Sequence, residues 1–335
     1  MFLNSWSLSL TLCSLLVLFL GGLAVLTAIR VLRYWNPASD SNRQIRLENE
    51  IWLTSTLVEY GLGFQIITLV IFILAADHYC QMIVGAMCAT GALLANSYGM
   101  PALFVKIGGV FFYGFWIVLH KLDISSESYP LVRIKYIYLL LLIPLLLTDI
   151  ILQTMYIAGL KPDIITSCCA VVFSVAEGDG RNMLGSIPQS ISLILFYFTM
   201  VVLTGLGFFL LRKWHWLTAF LSGFVWLWFL GLAVVVTTSV ISSYVYAMPF
   251  HHCPFCILKP EYYYIGFGIY GTLIPAVFFG LAAPMTGIIA KNKELTGAIK
   301  KFRHFAIRLS LWLLLAFALF SSYHYLIYQI TGGES

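Results

Sequence analysis

Long apolar runs separated by short polar joins dominate the chain. Runs of about 20 residues cross a hydrocarbon core of roughly 30 Å, and such runs fall at about 7–29, 52–76, 102–120, 136–158, 189–211, 216–241, 262–288 and 309–330. The pattern predicts an all-α polytopic integral membrane protein with about eight transmembrane helices, organised as a single transmembrane helical domain over 1–335. The first run lacks the basic leading region of a signal peptide and is long enough to span, so it reads as a helix. The stretch 80–98 is apolar but broken by Gly85, Gly91 and the turn Ser97-Tyr98-Gly99-Met100-Pro101. As a re-entrant dip it leaves eight spans, and as a crossing it makes nine.

Charge bears on that count. Basic residues gather at Arg30, Arg33, Arg43 and Arg46, at Lys121, Arg133 and Lys135, at Arg212 and Lys213, and between Lys291 and Arg308. All four clusters share one face only if 80–98 returns to the side it left. Fifteen of the nineteen Lys and Arg then lie on the cytoplasmic side, as the positive-inside bias expects. This topology predicts both termini outside, a bacterial-type inner membrane, and extracytoplasmic loops at 159–188 and 242–261. The last basic join, Lys291 to Arg308, places Leu295, Ile299 and Phe302 at helical spacing and reads as an amphipathic segment facing anionic lipid or a partner subunit.

Composition agrees. A chain 61% hydrophobic and 10% charged is no soluble globule, whose charged share is roughly 25%. Its net charge of +5 is confined to the joins, so membrane lipid is the expected partner and nucleic acid is not.

The most chemically pointed stretch is His251-His252-Cys253-Pro254-Phe255-Cys256. A Cys-x-x-Cys closes a small disulfide or binds a metal. As a metal site it would use His251 and His252 beside Cys253 and Cys256. As a redox site Cys253 and Cys256 would be the exchanging pair, with the second loop pair, Cys168 and Cys169, as relay. A helix N-terminus and protonated neighbouring histidines would both favour the thiolate. As staples, Cys168 or Cys169 would bridge to Cys253 or Cys256 in an oxidising compartment. Cys80 and Cys88 either line the same cavity or act as small core residues.

Cys253-Pro254-Phe255-Cys256 ahead of a helix, with Cys168 and Cys169 in a second loop, locally resembles the quinone-linked membrane thiol oxidases of the DsbB and vitamin K epoxide reductase type. The resemblance covers these residues and little else. Those families are four-helix proteins whose second pair is not usually vicinal. It suggests their mechanism, with a quinone as electron carrier. Tyr262 and Tyr263 then either wall a quinone pocket or belong to the interfacial aromatic belt.

Ionisable groups inside the bilayer are costly, and Glu59, Lys106 and Asp149 fall in the second, third and fourth runs. They form either a structural ion pair or a proton or ion path. Histidines on both predicted faces, including His78, His120, His215, His304 and His324, leave haem b open as a cofactor. The chain contains no nucleotide-phosphate loop, dinucleotide fingerprint or His-Glu-x-x-His. The functional expectation is a membrane-embedded redox protein exchanging electrons between outer-face thiols, or an extracytoplasmic thiol protein, and a lipid-soluble carrier. The alternative is a permease or the membrane anchor of a larger complex.

Overall fold

The computed structural model describes residues 4–36, 41–126, 128–161, 189–248, 251–287, 289 and 293–331. Among them eight helices are long and apolar enough to cross a membrane. The helices are α1 (Ser5–Tyr34), α2 (Asn42–Tyr79), α3 (Ala89–Leu94), α4 (Gly99–Asp123), α5 (Val132–Gly159), α6 (Gln189–Arg212), α7 (Trp216–Val236), α8 (Ser242–Tyr246), α9 (Ile265–Met285) and α10 (Thr296–Thr331). No strand occurs among the described residues. The chain is an integral membrane protein by this architecture, and exposed Phe19, Leu141, Phe198, Trp216 and Trp312 present apolar surface to lipid.

The stretch 80–98 supplies no ninth span. A 3₁₀ turn at Cys80–Met82 is followed by α3, whose 6 residues rise only about 9 Å. Gly85 turns the chain between them at a φ of 82°, a conformation open mainly to glycine.

Several helices overrun the apolar runs that announce them. Ser41 caps α2, its side chain accepting from the Gln44 N–H at 3.3 Å, so the helix begins well before the bilayer-length segment. α10 begins at Thr296 and takes in the part of the basic stretch from Lys300 to Arg308 that was expected to lie on the membrane surface. Leu295 and Ile299 are buried. Phe302, Ala306 and Ile307 pack with Leu210, Trp214, Ala219 and Ala283. The Arg303 guanidinium donates to Thr286 Oγ1 at 2.7 Å and lies 3.9 Å from the Trp214 ring centre. That apolar face is thus used internally, while Lys300 and Lys301 stay exposed.

The chain packs as two compact units, Met1–Val84 with Ala92–Thr166, and Gly85–Gly91 with Ser167–Ser335. In the first, α1, α2, α4 and α5 pack in a closed ring around Val17, Ala24, Ala28, Leu62, Trp116, Tyr136 and Leu139. In the second, α6, α7, α9 and α10 form a corresponding ring. Its centre is aromatic: Phe196, Phe229 and Phe317 meet with ring centres 5.8 to 5.9 Å apart, and Trp226 stands edge-on to Phe229 at 6.0 Å.

Candidate functional site

The second unit gathers three thiols. Cys88 comes from the short segment 85–91, and Cys253 and Cys256 come from the loop between α8 and α9. Their sulfurs all lie within 4.8 Å of one another, and Cys253 Sγ is 3.4 Å from Cys88 Sγ. All three side chains are buried, at 1%, 0% and 8% exposure for Cys88, Cys253 and Cys256. Thr90 Oγ1 sits 3.3 Å from Cys253 Sγ in hydrogen-bond contact.

The local sequence explains how the loop is held. α7 runs on into Thr237-Thr238-Ser239, where the Thr238 and Ser239 hydroxyls bond back to their own helix. Thr238 Oγ1 donates to the Val234 carbonyl and Ser239 Oγ to that of Val235, each at 2.8 Å. Such back-bonding bends helices, and here the helix widens to a π-helical segment over Thr237–Ile241, a device common at functional sites. α8 then stops at Ala247, in the left-handed region at φ 52°. The Tyr246 hydroxyl donates to the Cys253 carbonyl. The Tyr270 hydroxyl donates to the Pro254 carbonyl at 2.9 Å, and Lys259 Nζ donates to the Met87 carbonyl at 3.2 Å. The last bond ties the two thiol-bearing segments together.

The neighbouring histidines are not among the three converging ligands. His252 Nδ1 lies 3.2 Å from Ser243 Oγ, and the His251 ring packs against Tyr246 with centres 4.5 Å apart. Burial pushes both imidazoles below their ordinary range, with the Cys88 sulfur opposing this at His251. That burial works against the positive charge that the sequence offered as a thiolate stabiliser. The helix-dipole argument also loses its geometry, because α9 begins at Ile265, after two 3₁₀ turns at Cys256–Leu258 and Pro260–Tyr262. Tyr262 stacks edge-on to Tyr246 at 4.6 Å. Tyr263 is 91% exposed, and with Tyr264 it occupies the left-handed region, at φ 52° and 55°.

Cys168 and Cys169 lie outside the described residues. Cys80 belongs to the first unit and its thiol donates to the Asp77 carbonyl at 2.8 Å. The five described cysteines, Cys13, Cys80, Cys88, Cys253 and Cys256, are thiols, so the Cys253–Cys256 pair is not bridged. The sequence named Cys88 only as a secondary candidate and passed over Thr90. The signal available was that Cys88 follows the second span and Cys253 the sixth, which alternating crossings put on one side.

The first unit holds the intramembrane charges. Lys106 Nζ and Asp149 Oδ1 pair at 2.9 Å with both side chains 1% exposed. Gln65 Nε2 donates to Asp149 Oδ2 at 2.6 Å, and Lys106 Nζ lies 3.4 Å from Thr68 Oγ1. Glu59 belongs to a different set: it pairs with Lys121 at 2.7 Å and lies 3.6 Å from His120 Nε2. A second buried pair, Lys135 with Asp123 at 2.7 Å, was not foreseen. Its signal was two opposite charges flanking one short join. His120 Nδ1 touches Lys135 Nζ at 3.4 Å, so this candidate haem ligand has both ring nitrogens beside charged groups.

Ile257 sets the position of Cys256 and rests on Gly266. A Cβ on Gly266 would stand 2.8 to 2.9 Å from the Ile257 side chain and carbonyl group. Gly266→Ala is therefore expected to displace the loop at a cost of about 1–3 kcal/mol and to speed alkylation of Cys256 by a small maleimide; an unchanged rate would separate the helix start from the thiol geometry. The chain matches no protein-family model, no curated protein and no solved structure.

Proposed function

We propose that the protein is a membrane-embedded thiol oxidoreductase that moves an electron pair between the Cys88–Cys253 thiols and a lipid-soluble carrier of the quinone class. The observation that carries this reading is the 3.4 Å approach of their sulfurs, which must close to about 2.05 Å for a disulfide. In the forward step the two thiols lose two protons and two electrons as the S–S bond forms, and the quinone takes up both to become a quinol. Cys256, within 4.8 Å, is placed to attack Cys253 as its thiolate and release Cys88 by exchange. The burial of all three thiols favours a small carrier over direct docking of another protein's disulfide. The local resemblance to four-helix thiol oxidases gains from the thiols belonging to a unit built on four long helices. Eight crossings with the basic joins inside would put the thiol loops on the outer, oxidising side.

The test is differential alkylation with mass spectrometry of the purified chain, before and after mild reductant and with added quinone. The expected product is a Cys88–Cys253 bridge that forms with quinone and reopens with reductant. A chain in which Cys253 stays a thiol under every condition overturns the reading.

The buried Lys106–Asp149 pair supports a second reading, a proton or ion path through the first unit. Buried Tyr113 Oη, Gln65 Oε1 and Gln153 Oε1 have no hydrogen-bond partner among the described residues, as expected of groups that accept a transient guest. Proton flux into liposomes that falls to background in Lys106→Met/Asp149→Asn would support it; unchanged flux would remove it.

A further inference from the structure

The three thiols differ from a simple redox pair in number and in convergence. A disulfide uses two sulfurs, and the third here is neither remote nor exposed. Cys88, Cys253 and Cys256 offer one sulfur each, and the three sulfurs stand within 4.8 Å of one another. One ion at about 2.3 Å from each sulfur needs separations of roughly 3.8 Å in a tetrahedral site. The observed spacing is thus that of a ligand set, to be adjusted by about an ångström.

We infer that in its fully reduced form the protein holds one thiophilic d¹⁰ cation, of the Cu(I) or Zn(II) class, on Cys88, Cys253 and Cys256. The donor set is all sulfur, which selects soft cations over Mg²⁺, Ca²⁺ or Mn²⁺. Three sulfurs complete a trigonal Cu(I) site, and around tetrahedral Zn(II) they leave one position for a water or another ligand. The supports around the ligands are those a metal site needs. Thr90 Oγ1 reaches Cys253 Sγ at 3.3 Å, and Tyr246 fixes the Cys253 carbonyl. The Lys259–Met87 bond at 3.2 Å holds the Cys88 segment against the Cys253 loop. Loading releases the protons of the three thiols. This goes beyond the redox reading and is exclusive with it in any one molecule, because a Cys88–Cys253 bridge removes two of the three ligands. Oxidation then ejects the ion.

The experiment uses the full chain in detergent, reduced and handled without oxygen, titrated separately with Zn²⁺ and with Cu(I) against a competing chelator. The expected result is one ion per chain for at least one of the two, with three sulfur scatterers in X-ray absorption. Cys88→Ser, Cys253→Ser and Cys256→Ser should each weaken binding by at least about 100-fold, the upper range for losing a supporting group alone, while Cys13→Ser keeps wild-type affinity. A well-folded chain that retains no ion, or a Cys256→Ser variant that binds as tightly as the parent, overturns the inference. Cys256→Ser also separates the two readings: it should lose the ion and still form the Cys88–Cys253 bridge. An ion that binds wild type while no bridge ever forms sinks the redox reading alone.

Discussion

Lys106→Met is expected to lower the unfolding free energy by about 3–5 kcal/mol, the usual cost of removing one partner from a buried ion pair. Lys106 and Asp149 are each 1% exposed at 2.9 Å, so the remaining carboxylate would have no water to turn to. It would keep one bond, from Gln65 Nε2 at 2.6 Å. Asp149→Asn alone should cost a comparable amount, since it strands the ammonium group in apolar surroundings. The double variant Lys106→Met/Asp149→Asn leaves no buried charge and retains an acceptor for Gln65. It should recover most of the loss, because neutral replacements of buried pairs are often close to isoenergetic. Equilibrium unfolding of all four proteins in mixed detergent–SDS micelles measures the cycle. Single variants as stable as the parent would mean that the pair is hydrated, and this would favour the ion-path reading over a structural one.

Gly280→Ala should cost about 3 kcal/mol, at the upper end for overpacking. A Cβ there would fall 2.3 to 2.5 Å from the Trp226 indole. The ring cannot retreat, since Trp226 is 3% exposed and packs on Phe229. Relief must therefore come from separating α7 and α9, the long helices that flank α8 and the thiol loop in the chain. The loss should appear as a lower unfolding midpoint by tryptophan fluorescence, together with faster alkylation of Cys253. Trp226→Leu on the same background should restore part of the stability, which distinguishes a steric cause from a change in helix propensity.

The spans were legible because hydropathy at bilayer length is a strong signal, and Phe196 or Trp226 needs no further information to be placed in an apolar helix. Helix ends were not, since polarity marks where the bilayer stops and not where the hydrogen-bond ladder does. Ser41 and Thr296 start their helices in water-compatible sequence for that reason. The basic stretch before Arg308 looked like a surface segment because its apolar positions have the same spacing whether they face lipid or protein. At the site, Cys253 and Cys256 announced themselves through spacing, whereas Cys88 converges on them from a distance in sequence that no periodicity records. Lys106 and Asp149 were visible as misplaced charges. That they choose each other, and that Glu59 turns to Lys121, depends on helix rotation, which near-uniformly apolar spans do not encode.

The separation of Cys88 and Cys253 along the chain, 165 residues, has a consequence for biosynthesis. At the pace of translation, Cys88 waits roughly 8–33 s before Cys253 is made. During that interval the nearest thiol along the chain is Cys80. If these loops face an oxidising compartment, a premature Cys80–Cys88 bridge is the natural competing product, and maturation should then depend on a reductant or isomerase that keeps Cys88 available until its later partners arrive.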